Sequence, residues 1–285
     1  MRSRAGGGLA ALLIAGCAAG ASNAAPVTLR FRPAAGTLNR YVYEQRVTMR
    51  ADSGTPLPPQ DVTLRIHLTQ AVGAGDADGI PVTSTIDSLS LDNGALPASF
   101  LEAVEGRARG LQTLTVLDHL MRTVRHEVVN RAGLDAGRLD AFEQGTSGLA
   151  FPLPEGPVRV GDSWTVTTRL PTGQMLPGTA GPLEAATTLT VRQVRIAGSD
   201  TAVLLDVESR LPEAPIPVDM GIGRSALRLS GTLAGEQEFS VSRGTVVRAS
   251  MAGEIRVEMS GGIAGDRTMG MTLDQRLTIR MLEGP

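Results

Sequence analysis

Lysine is missing from this sequence, so all 27 basic residues are arginine. The absence excludes Schiff-base chemistry, a Walker A phosphate loop and a Ser-x-x-Lys nucleophile, because each of them needs a lysine. One cysteine excludes an intramolecular disulfide framework and a zinc site built from several thiolates. Three histidines leave little material for a metal or acid–base centre. We therefore expect no metal, no cofactor and no catalytic residue.

The chain also lacks a large net charge, since its formal net charge is -2 at pH 7. A near-neutral chain has no general electrostatic footprint for nucleic acid, so we expect no nucleic-acid partner. Aromatic residues make up only 3% of the chain, whereas hydrophobic residues make up 42%. This composition is too apolar for a disordered tail and predicts a folded protein.

The N-terminus has the pattern of an export signal. Two arginines, Arg2 and Arg4, precede the apolar run Leu9–Ala15, which is far shorter than the roughly 20 residues needed to span a bilayer. The run ends in Ile14-Ala15-Gly16-Cys17, which resembles the lipobox of bacterial lipoproteins. The resemblance implies a signal peptide over residues 1–16, lipidation of Cys17 and a short linker over residues 18–26.

Two destinations follow from this N-terminus. Ala18 follows the lipobox cysteine, whereas an Asp there commonly retains such lipoproteins in the inner membrane. We therefore expect an outer-membrane-anchored lipoprotein that faces the periplasm. The alternative is ordinary cleavage after Ser22-Asn23-Ala24, which would release a soluble periplasmic protein.

From residue 27 onward, apolar and polar residues alternate with a period of two. In the segment Val62–Gln70, valine, leucine and isoleucine occupy every second position, and the segment Met269–Met281 repeats the pattern. Turn residues such as those in Gly75–Gly79 separate these runs. The pattern predicts an all-β, antiparallel protein whose sheet is strongly curved, or forms an open barrel or sandwich. The predicted domain covers residues 27–285; two similar halves, 27–145 and 150–285, remain an alternative.

Helix is scarce in this pattern. The best candidate is Pro97–Arg107, and Leu134–Phe142 is a second short one. The segment Leu111–Asn130 fits either a helical stripe or a hairpin that turns near Asp118–Arg122, and we favour the hairpin. The proline-rich segment Pro212–Pro217 is interpreted as an exposed polyproline-like loop.

One segment carries a family resemblance. Residues Pro157-Val158-Arg159-Val160-Gly161-Asp162-Ser163-Trp164 resemble a P-V-x-V-G-D-x-W passage found in uncharacterised β-rich bacterial envelope proteins, many of them lipoproteins. The strand with Leu38 and Tyr41 and the segment Met271–Arg276 are similar too. The resemblance implies an envelope protein but supplies no catalytic residues. At the level of the fold, the pattern also resembles the open β-barrels with a helical lid used by lipoprotein carriers.

The candidate ligand-binding residues are a tryptophan and several methionines. Trp164 could stack on a ligand at the mouth of an apolar cavity, and methionine-lined surfaces suit variable apolar ligands. The candidates are Trp164, Met251, Met259, Met269, Met271 and Met281. The alternative is that all of them are ordinary core residues.

Two functions fit these observations. The first is a lipid-anchored, non-enzymatic interaction or structural module of the cell envelope, with a protein partner there. The second is a protein that binds or carries an apolar ligand, such as a lipid or acyl chain, in a curved sheet. A pocket of several hundred cubic ångströms would favour binding, and close packing would favour the module.

Overall fold

The computed structural model describes residues 25–52, 58–94, 96–133, 151–170, 183–213, 215–219, 224–261 and 268–282. The elements in chain order are β1 (Leu38–Ala51), β2 (Gln60–Val72), β3 (Ile80–Asn93), α1 (Ala98–Ala108), β4 (Gln112–Leu117), β5 (Thr123–Asn130), β6 (Ser163–Leu170), β7 (Leu183–Ala197), β8 (Asp200–Arg210), β9 (Pro215–Asp219), β10 (Arg224–Ser240), β11 (Thr245–Gly261) and β12 (Thr268–Leu282). The predicted all-β, antiparallel class is confirmed.

All strands belong to one 12-stranded sheet, in the order β5-β4-β3-β2-β1-β12-β11-β10-β8-β7-β6, with β9 added beside β10. The first and last strands of the chain, β1 and β12, pair from Arg40 opposite Leu282 to Ala51 opposite Met271. Strands β2–β5 therefore continue the sheet from β1, and strands β6–β11 continue it from β12. Among the described strands, the edge strands β5 and β6 do not pair with each other, so the sheet is open.

The sheet has two chemically different faces because successive side chains on a strand point to opposite sides. We call the face that carries Leu189, Leu205 and Phe239 the inner face; these three side chains are 0% exposed. The registers place every second residue of each neighbouring strand on the same face, which is the period of two seen in the sequence.

Two consecutive residues of the N-terminal segment show how strongly the sheet curves. The amide of Phe31 donates to the carbonyl oxygen of His119 at 2.8 Å, and the amide of Arg32 donates to that of Gly244 at 3.0 Å. His119 lies in the turn between β4 and β5, and Gly244 in the turn between β10 and β11. These turns are several strands apart in the sheet order, yet their carbonyls lie within about 10 Å, since consecutive backbone nitrogens are under about 4 Å apart.

Two segments outside the sheet fill the space between its approaching sides. We call residues 27–32 and 151–158 the plug; they join through backbone hydrogen bonds between Val27 and Val158 of 2.8 and 2.9 Å. Leu29 is 0% exposed, and Phe151 and Leu153 are also buried. Phe151 and Leu153 therefore belong to the core, whereas Glu155, Gly156 and Pro157 are exposed.

Glycines on β10 and β11 allow close approach of the two strands. A Cβ atom on Gly235 would lie 1.8 Å from the carbonyl oxygen of Ser250, and one on Gly253 would lie 2.1 Å from that of Thr232. Both clashes are with backbone, which cannot move aside as a flexible side chain can. Glycine inside a strand is typical of a sharp bend of this kind.

The short elements test three expectations. The helix predicted at Pro97–Arg107 is confirmed as α1, and the hairpin favoured for Leu111–Asn130 is confirmed as β4 and β5. The second predicted helix, Leu134–Phe142, lies outside the described residues. The interpretation of Pro212–Pro217 as a loop is wrong for its last part, because Pro215 begins β9 and pairs with Arg228. Proline is compatible with β9 because this strand has a partner only in β10.

Helix α1 runs beside the part of β3 that β4 leaves unpaired. The Glu105 carboxylate accepts a hydrogen bond from the amide of Leu91 at 2.9 Å, which satisfies one donor of this edge. Covering an exposed strand edge in this way protects it from unwanted pairing. Among the described residues, no helix is long and apolar enough to cross a membrane.

Candidate functional site

Charged side chains are confined to one face of the sheet. Across the described strand registers, every Asp, Glu and Arg occupies an outer-face or bulge position, and none falls on the inner face. The inner face carries apolar residues together with uncharged amides, hydroxyls and one histidine. A face without ions is suited to apolar material, because an unpaired charge is costly away from water.

The outer face carries arginine–carboxylate pairs. Glu44 accepts hydrogen bonds from both Arg65 and Arg46, which hold the pKa of this exposed carboxyl below its ordinary value. Arg192 pairs with Asp206 at 3.1 Å and with Glu236 at 2.7 Å. Such solvated pairs contribute little stability individually, about 0–1 kcal/mol each. They keep the outer face wetted.

The inner face is not equally covered along the sheet. On β7, β8 and β10 most of its apolar side chains are almost fully buried, as in Val191, Val203 and Phe239, which are 1%, 0% and 0% exposed; Ile196 near the end of β7 is the exception at 78%. On the adjacent strands β12, β1, β2 and β3 many inner-face apolar side chains are only half-buried. We call this second group the apolar strip: Met269, Met271, Leu277, Ile279, Met281, Tyr43, Val47, Met49, Val62, Leu64, Leu68, Leu89 and Leu91.

Two tyrosines bring hydroxyl groups into this apolar environment. The Tyr43 hydroxyl donates to Gln45 Oε1 at 2.9 Å on the strip itself, and burial raises the pKa of Tyr43. The Tyr41 hydroxyl donates to the carbonyl oxygen of Val246 at 3.1 Å, and burial raises the pKa of Tyr41 to about 12. Both phenols are therefore neutral hydrogen-bonding groups at physiological pH.

A buried amide lies beside the strip. Gln237 on β10 is 1% exposed, and neither its Nε2 nor its Oε1 has a hydrogen-bond partner among the described residues. The registers place Gln237 opposite Ala249, Ala249 opposite Ile279, and Ile279 opposite Tyr43. The methyl group of Ala249 is thus the only side chain between Gln237 and the strip along this row.

The predicted methionines do not form one cluster. Met259 lies opposite Met269, and Met271 is the next inner-face residue on β12, so these three are neighbours. Met251 is buried eight residues away along β11, and Met281 lies at the far end of β12. The distance from Met269 to Met281 along β12 is about 40 Å, at roughly 3.3 Å per residue. Met269, Met271 and Met281 belong to the apolar strip, and Met251, Met259 and Met271 pack in or against the main core.

Trp164 and Cys17 stand apart from the strip. Trp164 is half-buried on β6, packs against the main core, and donates from Nε1 to the carbonyl oxygen of Pro152 at 3.0 Å. This contact ties the start of β6 to the plug. Cys17 lies outside the described residues, so its lipidation remains a prediction.

A pocket of about 440 Å³ opens near the β-bulge at His67 and Leu68, at the plugged end of the sheet. Outer-face side chains, including Arg40, Thr69 and Asp87, dominate its lining; neither Trp164 nor a methionine lines it. Thr69 Oγ1 donates to Asp87 Oδ2 at 2.7 Å inside it. The pocket has the volume anticipated for ligand binding, but its lining mixes charged side chains such as Arg40 and Asp87 with the apolar Leu68 and Leu282.

The three histidines lie in different places. His67 is half-buried in this outer pocket, and His119 is exposed in the turn after β4. His126 on β5 shares a hydrogen bond of 2.8 Å with Thr115 Oγ1 through Nδ1. Among the described residues, no group of three or more His, Cys, Asp or Glu side chains could hold a metal ion.

The candidate residues that the sequence analysis missed are glutamines. Along three strands, one glutamine interrupts the run of apolar inner-face residues: Gln45 on β1, Gln237 on β10 and Gln275 on β12. Gln45, for example, lies between Tyr43 and Val47. The signal was visible as a polar residue on the apolar phase of a period-two run. An uncharged amide at such a position belongs to no charged or metal-binding motif.

Comparison with known proteins gives no family for this chain. No family model matches it, and no curated protein matches it. Among solved structures, one similar chain comes from a structure of "Lipid-protein interactions in lipovitellin", with a TM-score of 0.49 and 11% sequence identity. The alignment covers 89% of this chain but 25% of that one. The predicted resemblance of the Pro157–Trp164 passage to envelope proteins therefore remains untested.

Proposed function

We propose that this protein is a non-enzymatic binding protein that holds an acyl-chain lipid against its apolar strip. The observation that carries the proposal is the strip itself, in which four adjacent strands present half-buried apolar side chains on a face without ions. Apolar side chains that stay partly accessible to water on adjacent strands are typical of an interaction site.

The chemistry of the strip favours a flexible apolar chain as its occupant. Methionines such as Met269 and Met271 adapt to irregular shapes and tolerate ligands of different length. Each methylene of an acyl chain that leaves water contributes roughly 0.8 kcal/mol. The curvature that brings the β4–β5 and β10–β11 turns together makes the inner face concave, so a chain would contact several strands at once.

The proposed place of action is the bacterial cell envelope. The apolar run Leu9–Ala15 followed by Cys17 supports export and lipid anchoring at the outer membrane, with the protein facing the periplasm. An acyl-chain ligand is abundant at this location. Replacement of Cys17 by serine tests the anchor: we expect the protein to move from the membrane fraction to the soluble periplasm. Unchanged membrane attachment together with an unlipidated mass would contradict the anchor.

The test of lipid binding is native mass spectrometry of the Cys17→Ser full chain, collected from the soluble periplasm without detergent, followed by solvent extraction. We expect a co-purifying lipid in near-stoichiometric amount. Leu64→Glu introduces a charge into the strip, and we expect it to reduce bound lipid at least about tenfold, because the carboxylate would have no partner there. Thr63→Glu adds the same charge to the neighbouring residue on the outer face, opposite Arg46, and should retain the lipid.

Other results would contradict the proposal. A clean apo mass, with added lipid failing to bind, excludes an acyl-chain ligand. A stoichiometric protein partner that is lost in Leu64→Glu but kept in Thr63→Glu would instead support the interaction module. Thermal melting of both variants establishes that the fold is retained.

A further inference from the structure

The unpartnered Gln237 amide indicates which kind of lipid the inner face would accept. Its side chain is 1% exposed, and both of its polar atoms lack a hydrogen-bond partner among the described residues. A buried donor or acceptor without a partner costs about 1–3 kcal/mol, so such groups are rare unless something else satisfies them. A carboxamide offers both a donor and an acceptor and carries no charge.

The position of Gln237 connects it to the apolar strip. Its row continues through Ala249 to Ile279 and Tyr43, and the latter two belong to the strip. Its cross-strand neighbour towards the strip is Ala249, which carries only a methyl group, whereas Met251 occupies the next inner-face position on β11. A polar group of a molecule lying on the strip would therefore approach the amide past a methyl group rather than past a bulky side chain.

Because the described inner face carries no charged side chains, it favours a lipid with an uncharged polar group over one with an anionic group. An ester, amide or alcohol can exchange hydrogen bonds with Gln237 and with the neutral Tyr43–Gln45 pair. A carboxylate or phosphate brought to the same place would meet no arginine, because the arginines of the described strands lie on the outer face. Burying such an anion without a cation is far more costly than burying an uncharged group.

We propose that Gln237 is the specificity-determining residue of the strip and selects lipids whose buried polar group is uncharged over ionised fatty acids. This inference rests on the proposed function, because it assumes that an acyl chain occupies the strip. It extends that function by naming neutral acyl esters, amides and alcohols as the ligand class.

The experiment compares 1-monododecanoylglycerol with dodecanoate at pH 9, where the carboxylate is ionised, by titration into the soluble Cys17→Ser full-length protein. The two probes share the same acyl chain, so they differ only in the polar group, an uncharged glycerol ester with two hydroxyls in one and a carboxylate in the other. We expect the glycerol ester to bind at least about tenfold more tightly. Gln237→Leu should weaken ester binding about fivefold to tenfold, which corresponds to one hydrogen bond, and should leave dodecanoate binding unchanged.

A matched control is Ser225→Ala, because Ser225 Oγ is also buried without a partner but lies elsewhere on β10. We expect Ser225→Ala to bind both probes as the parent protein does. Gln237→Met keeps the length of the side chain and replaces Gln237→Leu if the latter melts early.

The outcomes separate the two proposals. Equal binding of ester and anion, unaffected by Gln237→Leu, would overturn the inference about Gln237 and leave lipid binding in place. Failure of both probes to bind would overturn the proposed function and this inference together. Preference for the ester that is lost in Gln237→Leu but kept in Ser225→Ala would support both.

Discussion

The two tyrosines give a prediction at the scale of single residues. Tyr41 is 6% exposed, and its burial raises the pKa from 10.0 to about 12. A phenol whose pKa is raised on folding stabilises the native state fully below the unfolded value. This contribution declines as the pH rises from about 10 and is lost near pH 12. For Tyr41 it amounts to roughly 2–3 kcal/mol, at about 1.36 kcal/mol per pKa unit.

Alkaline denaturation checks this prediction with little interference, because the chain has no lysine to titrate near pH 10.4. We expect urea stability to fall between pH 10 and 12, and tyrosinate absorbance of the native protein to appear only near pH 12, well above the pKa of 10.0 of a free phenol. Tyr43→Phe is the control, since it should remove one of the two absorbance steps. Ordinary titration of both phenols near pH 10 in the folded protein would contradict their burial.

At the scale of secondary-structure elements, a row of buried hydroxyls joins β6, β7 and β8. Thr168 Oγ1 and Thr187 Oγ1 lie 2.8 Å apart, and Thr187 Oγ1 lies 2.7 Å from Ser209 Oγ. The three residues are 8%, 0% and 3% exposed. Thr168 Oγ1 also donates to the carbonyl oxygen of Ala185 at 3.2 Å. Each hydroxyl thus has a hydrogen-bond partner in its neighbour, which offsets the free-energy cost of burying these polar atoms on the inner face.

We predict that Thr187→Val destabilises the protein by about 1–3 kcal/mol. The substitution keeps the shape but removes the central hydroxyl, so Ser209 Oγ loses its partner in a buried position. Urea unfolding followed by circular dichroism measures the change.

The matched control is Thr165→Val on the outer face of the same pair of strands. Thr165 Oγ1 and Thr188 Oγ1 share an exposed hydrogen bond of 3.1 Å, and water can replace it. We expect a change within about 0.5 kcal/mol for this variant. Equal effects of the two substitutions would mean that the buried row does not stabilise the sheet.

The elements themselves were largely predictable from local sequence. Alternation predicted the strands, and Pro97 with the glycines after it predicted α1. The proline-rich segment was not predictable as a strand, because the pairing of Pro215 depends on β10 rather than on its own residues. The candidate site was less predictable, because Gln45 and Gln237 gain meaning only when the registers place them beside the strip.

At the scale of the whole molecule, the pairing of β1 with β12 could not be read from the sequence. Tyr43 lies opposite Ile279, and no local signal identifies a partner so far along the chain. Period-two alternation specifies which face a residue occupies but not which strand lies next to it. The open sheet, its curvature and the plug all depend on these long-range choices. Separation of charge between the two faces follows from the same alternation and was therefore predictable in principle.

The last prediction asks whether the molecule unfolds as one unit. Trp164 is the only tryptophan and reports on β6, whereas Tyr41 and Tyr43 report on β1. The main core joins Val82 and Leu117 of one side to Leu189 and Leu205 of the other. The plug also bonds to turns from both sides. We therefore expect tryptophan fluorescence and tyrosine absorbance to give coincident urea transitions.

Leu29→Ala tests the reason for this cooperativity, because Leu29 is 0% exposed within the plug. We expect it to lower the unfolding free energy by about 2–5 kcal/mol and to shift both signals together. Leu38→Ala makes the same change at a side chain that is 65% exposed, and it should shift neither signal by more than about 0.5 kcal/mol. If instead the tryptophan and tyrosine transitions separate, residues 27–145 and 150–285 unfold independently, and the alternative of two halves is favoured. Coincidence in the parent and in Leu29→Ala would assign the stability of the open sheet to the plug that joins its two sides.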